Sequence, residues 1–189
     1  MAFDYPVVLD LTGVPVLMVG GGQVASRKVD GLLAAGARVT VVAPFVLEPL
    51  AASVAEVRRR GYVADDLAGH LLVMTATDVP AVNARVAADA RERGVWVNSA
   101  DDPSNCSFIL PAITRRGPVV VAVGTDGSSP ALARHLRDRI AELVLVEGID
   151  AVADELSRQR AEYHAAGVST ETVDWSNRLQ EALERLTSR

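Results

Sequence analysis

The stretch VPVLMVGGGQVA, residues 14–25, decides the fold of this 189-residue chain. Its first half is a continuous apolar run, which is typical of a strand buried on both faces of a parallel sheet. Its second half has the spacing G-x-G-x-x-A at Gly20, Gly22 and Ala25, and it predicts a tight turn into a helix over residues 23–35. A strand, a glycine turn and a helix in this order indicate the first unit of a Rossmann-like domain.

The chemistry of this turn indicates a site for a dinucleotide. Gly20 permits the sharp bend, Gly22 lets a pyrophosphate approach the backbone, and Ala25 lets the helix pack closely on the strand. The first helical residues, Gln23 and Val24, offer N–H groups and the positive end of the helix dipole to phosphates. Two other interpretations stay open: a plain strand-to-helix turn, and a methyltransferase site for a methionine-derived cofactor.

The end of the second predicted strand bears on which dinucleotide binds. Sites of this type often carry an acidic residue there for the ribose hydroxyls, whereas this chain has Ala43 and Pro44. No arginine for a 2′-phosphate stands at that end, because Arg38 begins the strand. We therefore predict NAD rather than NADP, with backbone groups near Val42 and Ala43 holding the ribose.

Strand and helix patterns alternate through the first two thirds of the chain. This alternation predicts βαβ units and a parallel sheet covered on both faces. We expect strands at 38–42, 71–76 and 95–98, a helical stretch from Pro44 to about Arg60, and a helix over 78–93 with Asp78 as its N-cap and Asn83 on its surface.

The pattern changes after residue 106. Two strand-like runs, 107–113 and 118–124, flank a turn at 114–117 and predict a hairpin. The triplet Ser128-Ser129-Pro130 then starts a helix that is expected to end near Val146. Its residues Leu132, Leu136, Ile140 and Leu143 share one face, and two further helices are expected at about 150–165 and 170–186.

These patterns predict an α/β fold in three parts. A Rossmann-like parallel sheet occupies residues 1–112, and a small α+β region of hairpin plus helix occupies residues 113–148. A helical C-terminal region occupies residues 149–189.

Composition excludes several classes of protein. The formal net charge is −5, from 19 basic and 24 acidic residues, and aromatic residues make up 4%, so we expect no nucleic-acid partner. The single cysteine, Cys106, rules out an intramolecular disulfide and a thiolate metal cage, and the histidines have no metal-ligand spacing. No apolar run is long enough to span a bilayer, and the first ten residues lack the basic start of a signal peptide. We expect a cytoplasmic protein with neither a membrane partner nor a metal site.

Four separated segments carry a family pattern. They are residues 5–28 with the glycine turn, 76–83 (ATDVPAVN), 98–112 (NSADDPSNCSFILPA) and 127–134 (GSSPALAR). Together they resemble the precorrin-2 dehydrogenase/sirohydrochlorin ferrochelatase family, which is also the N-terminal module of bacterial sirohaem synthase. The resemblance covers about residues 5–145. It implies NAD-dependent oxidation of precorrin-2 to sirohydrochlorin and a homodimer whose dimerisation region is the one over 113–148. Many members also insert ferrous iron, a substrate ion, to give sirohaem.

Asp101 is the leading catalytic residue under this resemblance, because the family places its essential aspartate there. Oxidation of the macrocycle removes a hydride and a proton, and a carboxylate at a strand end can accept the proton if burial raises its basicity. The competing interpretation is a turn-forming aspartate, the role that we assign to Asp102 beside Pro103.

The implied substrate is an acidic tetrapyrrole, and the chain has a local surplus of arginine to match it. Residues 111–140 hold five arginines and two acids within an otherwise acidic chain. A helix N-terminus with arginines beside it is a ready anion site. The predicted substrate-binding residues are Ser128, Ser129, Arg134, His135, Arg115 and Arg116.

The predicted cofactor-binding residues lie in the glycine turn and at the ends of three further strands. They are Gly20, Gly22, Gln23, Val24, Ala25, Val42, Ala43, Pro44, Thr75, Ala76, Thr77 and Asn98. Asn98 either positions the nicotinamide or merely ends a strand, and we interpret Cys106 as a small buried apolar residue and Trp96 and Phe108 as core residues. The rival function is a non-catalytic NAD-sensing module, which would have no need of Asp101.

Overall fold

The structure, a computed structural model, describes residues 5–100 and 102–187. The chain divides into two units, the first ending at Ile109 and the second beginning at Leu110. The finer division of the second part into regions 113–148 and 149–189 stays a prediction.

A five-stranded sheet forms the centre of the first unit. Its order is β3-β2-β1-β4-β5, and every neighbouring pair is parallel, so the predicted Rossmann-like architecture is confirmed. The central position belongs to the apolar run that opens the glycine turn, which is why that run has no polar residue. The strands are β1 (Pro15–Val19), β2 (Arg38–Val42), β3 (Glu56–Arg58), β4 (Leu72–Thr75) and β5 (Trp96–Ser99).

Helices cover both faces of this sheet. They are α1 (Gln23–Ala34), α2 (Glu48–Ser53) and α3 (Pro80–Glu92). Successive residues of a strand point to opposite faces, so β1 supplies both apolar layers. Met18 packs in one layer with Ala25 and Val29 of α1, and Leu17 packs in the other with Val86 of α3. All five side chains are fully buried.

The edge strand β3 corrects the sequence prediction, which extended a helix to about Arg60. The helix α2 ends at Ser53, and residues 56–58 instead pair with β2, where Thr40 faces Glu56 and Val42 faces Arg58. Pairing with an open strand edge decides the conformation here, because local helix preference is worth only tenths of a kcal/mol per residue, about 0–0.7.

The second unit opens with the predicted hairpin, formed by β6 (Ala112–Arg116) and β7 (Val119–Val123). Its turn is Gly117-Pro118 rather than the predicted 114–117, because Arg116 already faces Val119 across the ladder. Gly117 has φ +53°, a left-handed conformation that glycine adopts without strain. Arg115 and Arg116 therefore lie in a strand.

Three helices complete the second unit: α4 (Pro130–Val144), α5 (Ile149–Ala165) and α6 (Ser176–Thr187). The last begins six residues later than predicted, after a single 3-10 turn over Thr170–Thr172. Tyr163 of α5 packs edge-on against Trp175, and Arg178 of α6 donates to the Tyr163 hydroxyl at 2.6 Å. Among the helices that the structure describes, none is both long and apolar enough to cross a membrane.

Candidate functional site

The strand order places a crevice at the carboxyl ends of β1 and β4. The chain proceeds from β1 toward β3 on one side and then resumes with β4 on the other, and ligands of open α/β sheets bind where the order reverses in this way. The loops after the two strands are held together here, since the Ala76 amide donates to the Val19 carbonyl at 2.9 Å and the Gly20 amide to the Val42 carbonyl at 3.0 Å.

The three glycines of the turn have different surroundings. A Cβ on Gly20, which has φ +121°, would lie 2.4 Å from the Ala76 carbonyl oxygen, and one on Gly21 would lie 2.1 Å from the Phe45 carbonyl oxygen. A Cβ on Gly22 would meet no atom within 4 Å. The first two glycines therefore allow the loops to pack, whereas Gly22 borders open space.

The N-terminus of α1 meets this open space. Gly22 is its N-cap and supplies no side-chain hydrogen bond, while Gln23 and Val24 are exposed. First-turn N–H groups have no acceptor within their own helix, so they remain available to an anion. Ala25 is fully buried against the sheet, which is the close packing predicted for it. The turn thus has the shape and the donors that a pyrophosphate requires.

The end of β2 forms a second side of the crevice. Val42 and Ala43 are buried, so they can offer a ligand their backbone only, whereas Pro44 and Phe45 are exposed. Arg59, which follows β3, donates to the Val46 carbonyl at 3.3 Å and pairs with Glu48 at 2.9 Å. Arg59 is not among the predicted site residues, because residues 54–60 are predicted to be helical. The pairing of β3 with β2 is what brings it to the loop after β2.

Asn83 organises the loop after β4, which corrects its predicted place on a helix surface. Its side chain is buried, and Oδ1 accepts from the Thr75 hydroxyl at 2.5 Å, from the Thr77 amide at 3.2 Å and from the Thr77 hydroxyl at 2.8 Å. Nδ2 donates to the Thr77 carbonyl at 3.0 Å. This network engages the Thr75 side chain and both the amide and the carbonyl of Thr77. The predicted contact of Thr75, Ala76 and Thr77 with a cofactor stays a prediction.

The first residue of α3 also differs from the prediction. The N-cap is Val79, not Asp78, and Pro80 occupies the first helical position. The Thr77 hydroxyl accepts from the Val79 amide at 3.2 Å, which fixes the turn before the helix, and no side-chain hydrogen bond is made by the N-cap residue itself.

Asn98 lies near the end of β5, and its amide is bound by protein groups. Oδ1 accepts from the Lys28 ammonium at 2.9 Å, and Nδ2 donates to the Phe108 carbonyl at 3.0 Å and to Cys106 Sγ at 3.7 Å. Its predicted contact with nicotinamide stays a prediction, and the structure gives it a tethering role that the sequence analysis did not weigh. Trp96, predicted as core, is 43% exposed, while Phe108 packs against the apolar layer of α1.

Asp101 lies outside the described residues, but its neighbours are placed. The Ala100 amide donates to the Thr75 carbonyl at 2.8 Å. Asp102 caps a 3-10 turn over Pro103–Asn105, accepting from the Ser104 amide at 3.1 Å, which is the turn role predicted for it. Hydrogen bonds from Ser104 hold the pKa of Asp102 below its ordinary value.

Cys106 closes this segment and is buried, as predicted. Its Sγ accepts from the Ser99 amide at 3.1 Å and donates within the same cluster to backbone carbonyls. Burial raises the pKa of the thiol, and the nearby charge of Lys28 counteracts only part of that rise. The thiol therefore stays protonated at neutral pH.

The predicted substrate residues all lie in the second unit. Ser129 caps α4 by accepting from the Leu132 amide at 3.2 Å, and the Ser128 hydroxyl donates to the Thr125 carbonyl at 2.5 Å. Arg116 donates to the Leu145 carbonyl at 3.1 Å. Arg134, His135 and Arg115 are exposed. The two serines thus have local structural partners, whereas the exposed side chains of Arg134, His135 and Arg115 are open to a carboxylate.

No group of three or more His, Cys, Asp or Glu side chains in the described ranges is arranged to hold a metal ion.

Two family models match the chain. Residues 7–112 match the family described as "Putative NAD(P)-binding", and residues 116–143 match the family described as "Sirohaem biosynthesis protein central". The first match covers the unit that contains the crevice and more than half of the chain.

Similar proteins of known name agree with these models. A siroheme synthase of Methylococcus capsulatus is 49% identical over 142 residues, which are 72% of this chain and 30% of that protein. Siroheme synthase 1 of Aeromonas salmonicida is 40% identical over 195 residues, covering 96% of this chain and 41% of that protein. The matched part of this chain therefore spans 30% to 41% of the length of these two relatives.

A solved structure titled "SirC, precorrin-2 dehydrogenase" matches with a TM-score of 0.72 and 28% sequence identity. The match covers 98% of this chain and 100% of that one. The chain belongs to the NAD(P)-binding family and, within it, to the precorrin-2 dehydrogenase/sirohydrochlorin ferrochelatase family, which is also the N-terminal module of bacterial sirohaem synthase.

Proposed function

We propose that this chain oxidises precorrin-2 to sirohydrochlorin with NAD as the hydride acceptor. The observation that carries this proposal is the glycine turn at the switch point of the sheet, where Gly22 borders open space in front of the α1 N-terminus. The full-length match to a structure titled as a precorrin-2 dehydrogenase supports the choice of substrate. The longer siroheme synthases contain further sequence that this chain does not match, so no activity that depends on that sequence is included.

The residues present fit a dinucleotide. Backbone groups from Gly20 to Ala25 would hold the pyrophosphate, and those of Val42 and Ala43 would hold the adenosine ribose. The loop after β4, fixed by Asn83, would border the nicotinamide half. When bound, NAD supplies the acceptor for a hydride.

Asp101 is proposed as the base of this oxidation. Loss of a hydride from the macrocycle must be accompanied by loss of a proton, and Asp101, which follows β5 in the sequence, supplies a carboxylate that can accept it. Its two neighbours in the sequence are held by hydrogen bonds, since the Ala100 amide donates to the Thr75 carbonyl and Asp102 accepts from the Ser104 amide.

The substrate proposal uses the arginines and polar groups of the second unit. Arg134 and Arg115 are exposed and could pair with the carboxylates of an acidic tetrapyrrole, while His135, Arg116, Ser128 and Ser129 add hydrogen-bonding groups. Charge reversal at Arg134 should raise the KM for the tetrapyrrole far more than the KM for NAD.

Absorbance tests the reaction directly. Mixing the protein with NAD and precorrin-2 should produce the spectra of sirohydrochlorin and NADH together. The Asp101→Ala variant should bind NAD normally and lose turnover, whereas Asp102→Asn, a change in the same turn, should retain most of it. Normal NAD binding without any oxidation in the wild type would favour the rival NAD-sensing module instead.

The choice of NAD over NADP is tested in the same assay. No acidic or basic residue follows β2 directly, but Arg59 lies near the loop after it and already pairs with Glu48. We expect NAD to be preferred, and Arg59→Met to leave that preference intact. A preference for NADP that disappears in Arg59→Met would reverse the assignment.

Iron insertion is proposed as a second step, with ferrous iron as substrate. Siroheme synthase 1 of Aeromonas salmonicida matches 96% of this chain, so the match includes both units, and residues 116–143 match the sirohaem biosynthesis family. These two matches support the second step. Ferrous iron added after the oxidation should convert the sirohydrochlorin spectrum to that of sirohaem faster than in a protein-free control.

A homodimer is proposed as the working form. The α4 residues Leu132, Leu136, Ile140 and Leu143 line one face, yet each is between 38% and 71% exposed. A second copy of the chain would cover this face, since an apolar stripe of this length is rarely left in water. The cytoplasmic location expected from the sequence stays a prediction.

A further inference from the structure

The segment that carries Asp101 in the sequence is tied at its base by a compact set of hydrogen bonds. The Ser107 amide donates to the Val97 carbonyl at 2.7 Å, and the Val97 amide donates to the Ser107 hydroxyl at 2.7 Å. One residue further in, the Ser99 amide donates to Cys106 Sγ at 3.1 Å. Residues 97–99 and 106–108 thus form the two sides of a closed loop base.

Asn98 lies between these bonds and links the same two sides. Its Nδ2 donates to the Phe108 carbonyl at 3.0 Å and to Cys106 Sγ at 3.7 Å. These contacts require the amide to point its nitrogen toward residues 106–108. An amide rotated by half a turn would present oxygen to the Phe108 carbonyl and repel it.

Lys28 of α1 fixes that orientation. Its ammonium lies 2.9 Å from Asn98 Oδ1, and an ammonium donates hydrogen bonds but cannot accept them. Only the carbonyl end of the amide can therefore face α1. Lys28 is half-buried, and its charge lowers the pKa of the Cys106 thiol against the larger effect of burial.

We propose that Lys28 is a positioning residue, which acts through Asn98 to hold the segment bearing Asp101 in register with the cofactor helix. The inference rests on the proposed dehydrogenase function, because it assigns Lys28 a role in that reaction. α1 begins at the glycine turn, so this hydrogen bond joins the helix that receives the pyrophosphate to the loop that supplies the base.

The kinetic test separates positioning from cofactor binding. In Lys28→Met the cation is replaced by a chain of similar length, and we expect kcat for precorrin-2 oxidation to fall at least tenfold while the Kd for NAD changes less than threefold. Lys28→Arg keeps the charge and the donors and should recover most of the lost kcat. The matched control is Arg38→Met, which removes one exposed cation at the opposite end of the sheet.

A second readout does not depend on activity. Cys106 is the only cysteine and is 3% exposed, so the rate at which a thiol reagent such as 5,5′-dithiobis(2-nitrobenzoate) labels the native protein reports opening of the loop base. Labelling of Lys28→Met should be at least tenfold faster than that of the wild type, and labelling of Lys28→Arg and Arg38→Met should be close to wild type.

The outcomes are distinct. Unchanged kcat and unchanged labelling in Lys28→Met would overturn the proposal, and so would equal losses of kcat, NAD affinity and thermal stability that Lys28→Arg does not restore. If the wild type oxidises no precorrin-2, the dehydrogenase function fails. The labelling rates then still decide whether Lys28 holds the loop base, but its catalytic role is overturned with the function.

Discussion

At the scale of single residues, the glycine turn divides its work between packing and binding. Gly21 was given no role from the G-x-G-x-x-A spacing, yet it has the closest approach of the three, because the loop after β2 crosses directly over it. The Leu47 amide donates to the Gly21 carbonyl at 3.0 Å and holds that loop in place. Gly22, by contrast, touches nothing that a methyl group would displace.

Two alanine substitutions should separate these roles. Gly21→Ala forces a methyl group to within 2.1 Å of a backbone oxygen and should lower the free energy of unfolding by about 1–3 kcal/mol, measured by urea denaturation. Gly22→Ala should cost less than about 1 kcal/mol in the same measurement, because its φ of −89° suits any residue.

For Gly22→Ala, the larger effect should be on NAD binding rather than on the free energy of unfolding. Its added methyl group lies where the pyrophosphate approaches, so calorimetry should give a Kd for NAD at least tenfold higher, about 1.4 kcal/mol. A Gly22→Ala protein that binds NAD like the wild type would contradict the proposed position of the pyrophosphate.

At the scale of elements, polar side chains with little exposure connect the strands to neighbouring elements, near the β5 edge of the sheet and near its β3 edge. Asn83 joins α3 to the loop after β4, and Lys28 joins α1 to β5 through Asn98. At the other edge, Asp66 is buried between Arg58 and Arg60, at 2.8 and 2.6 Å. Buried polar groups are costly unless paired, so each of these networks fixes one arrangement of its elements.

A double-mutant cycle measures the Asn83 network. Asn83→Ala should destabilise the protein by about 1–3 kcal/mol, because it strands the buried Thr75 hydroxyl and frees the loop. Thr75→Val removes that hydroxyl, so the two changes together should cost less than their sum by about 0.5–3 kcal/mol. Glu92→Ala, an exposed change on the same helix, is the control. Simple additivity would mean that the short Thr75–Asn83 contact contributes nothing.

His70, in the loop before β4, should give the protein a stability that depends on pH. Burial lowers the pKa of its ring below the ordinary value of 6.5, and the charge of Arg58 adds to the shift. Below pH 6.5 the unfolded chain therefore binds a proton that the native state does not, and stability should rise with pH up to about 6.5 and then level off.

The measurement compares unfolding free energies at pH 5.5 and pH 7.5. His70→Gln should flatten this difference, while His164→Gln, on the exposed surface of α5, should leave it as in the wild type. The acidic groups near His70, Glu56 and Asp66, have lowered pKa values and titrate below this window. If the unfolding free energy changed equally between pH 5.5 and pH 7.5 in all three proteins, His70 would not be the source of the pH dependence.

At the scale of the whole molecule, the apolar face of α4 predicts association of two chains. Leu143 is 71% exposed on that face, and Leu132, Leu136 and Ile140 are exposed as well. Wild-type protein should therefore sediment at about twice the 20.0 kDa chain mass. Leu136→Asp should shift it to one chain mass, because an interface core does not tolerate an unpaired carboxylate.

The control for this experiment is Asp138→Asn, on the same helix but outside the apolar face. It should leave the sedimentation unchanged. A wild-type protein that sediments as a single chain at micromolar concentration would contradict the proposed homodimer.

Local pattern was enough for much of the fold. The apolar run before Gly20 and the alternation after it predicted the four strands β1, β2, β4 and β5, because buried parallel strands and amphipathic helices have distinct periods. The hairpin and α4 were predicted for the same reason, from turn and cap residues. The resemblance to a family came from four short segments and was sufficient for the proposed reaction.

Only the tertiary structure decided what depends on contacts between distant residues. β3 exists because β2 has an open edge, and Arg59 reaches the loop after β2 only through that pairing. Asn83 and Lys28 lie on helices whose sequence does not predict their hydrogen-bond partners. These partners are the Thr75 hydroxyl for Asn83 and the Asn98 amide oxygen for Lys28. The sequence by itself determined the layers and the glycine turn. Packing determined the partners of its buried polar side chains. A hydrogen bond between residues 70 positions apart leaves no periodic pattern in the sequence from which it could be predicted.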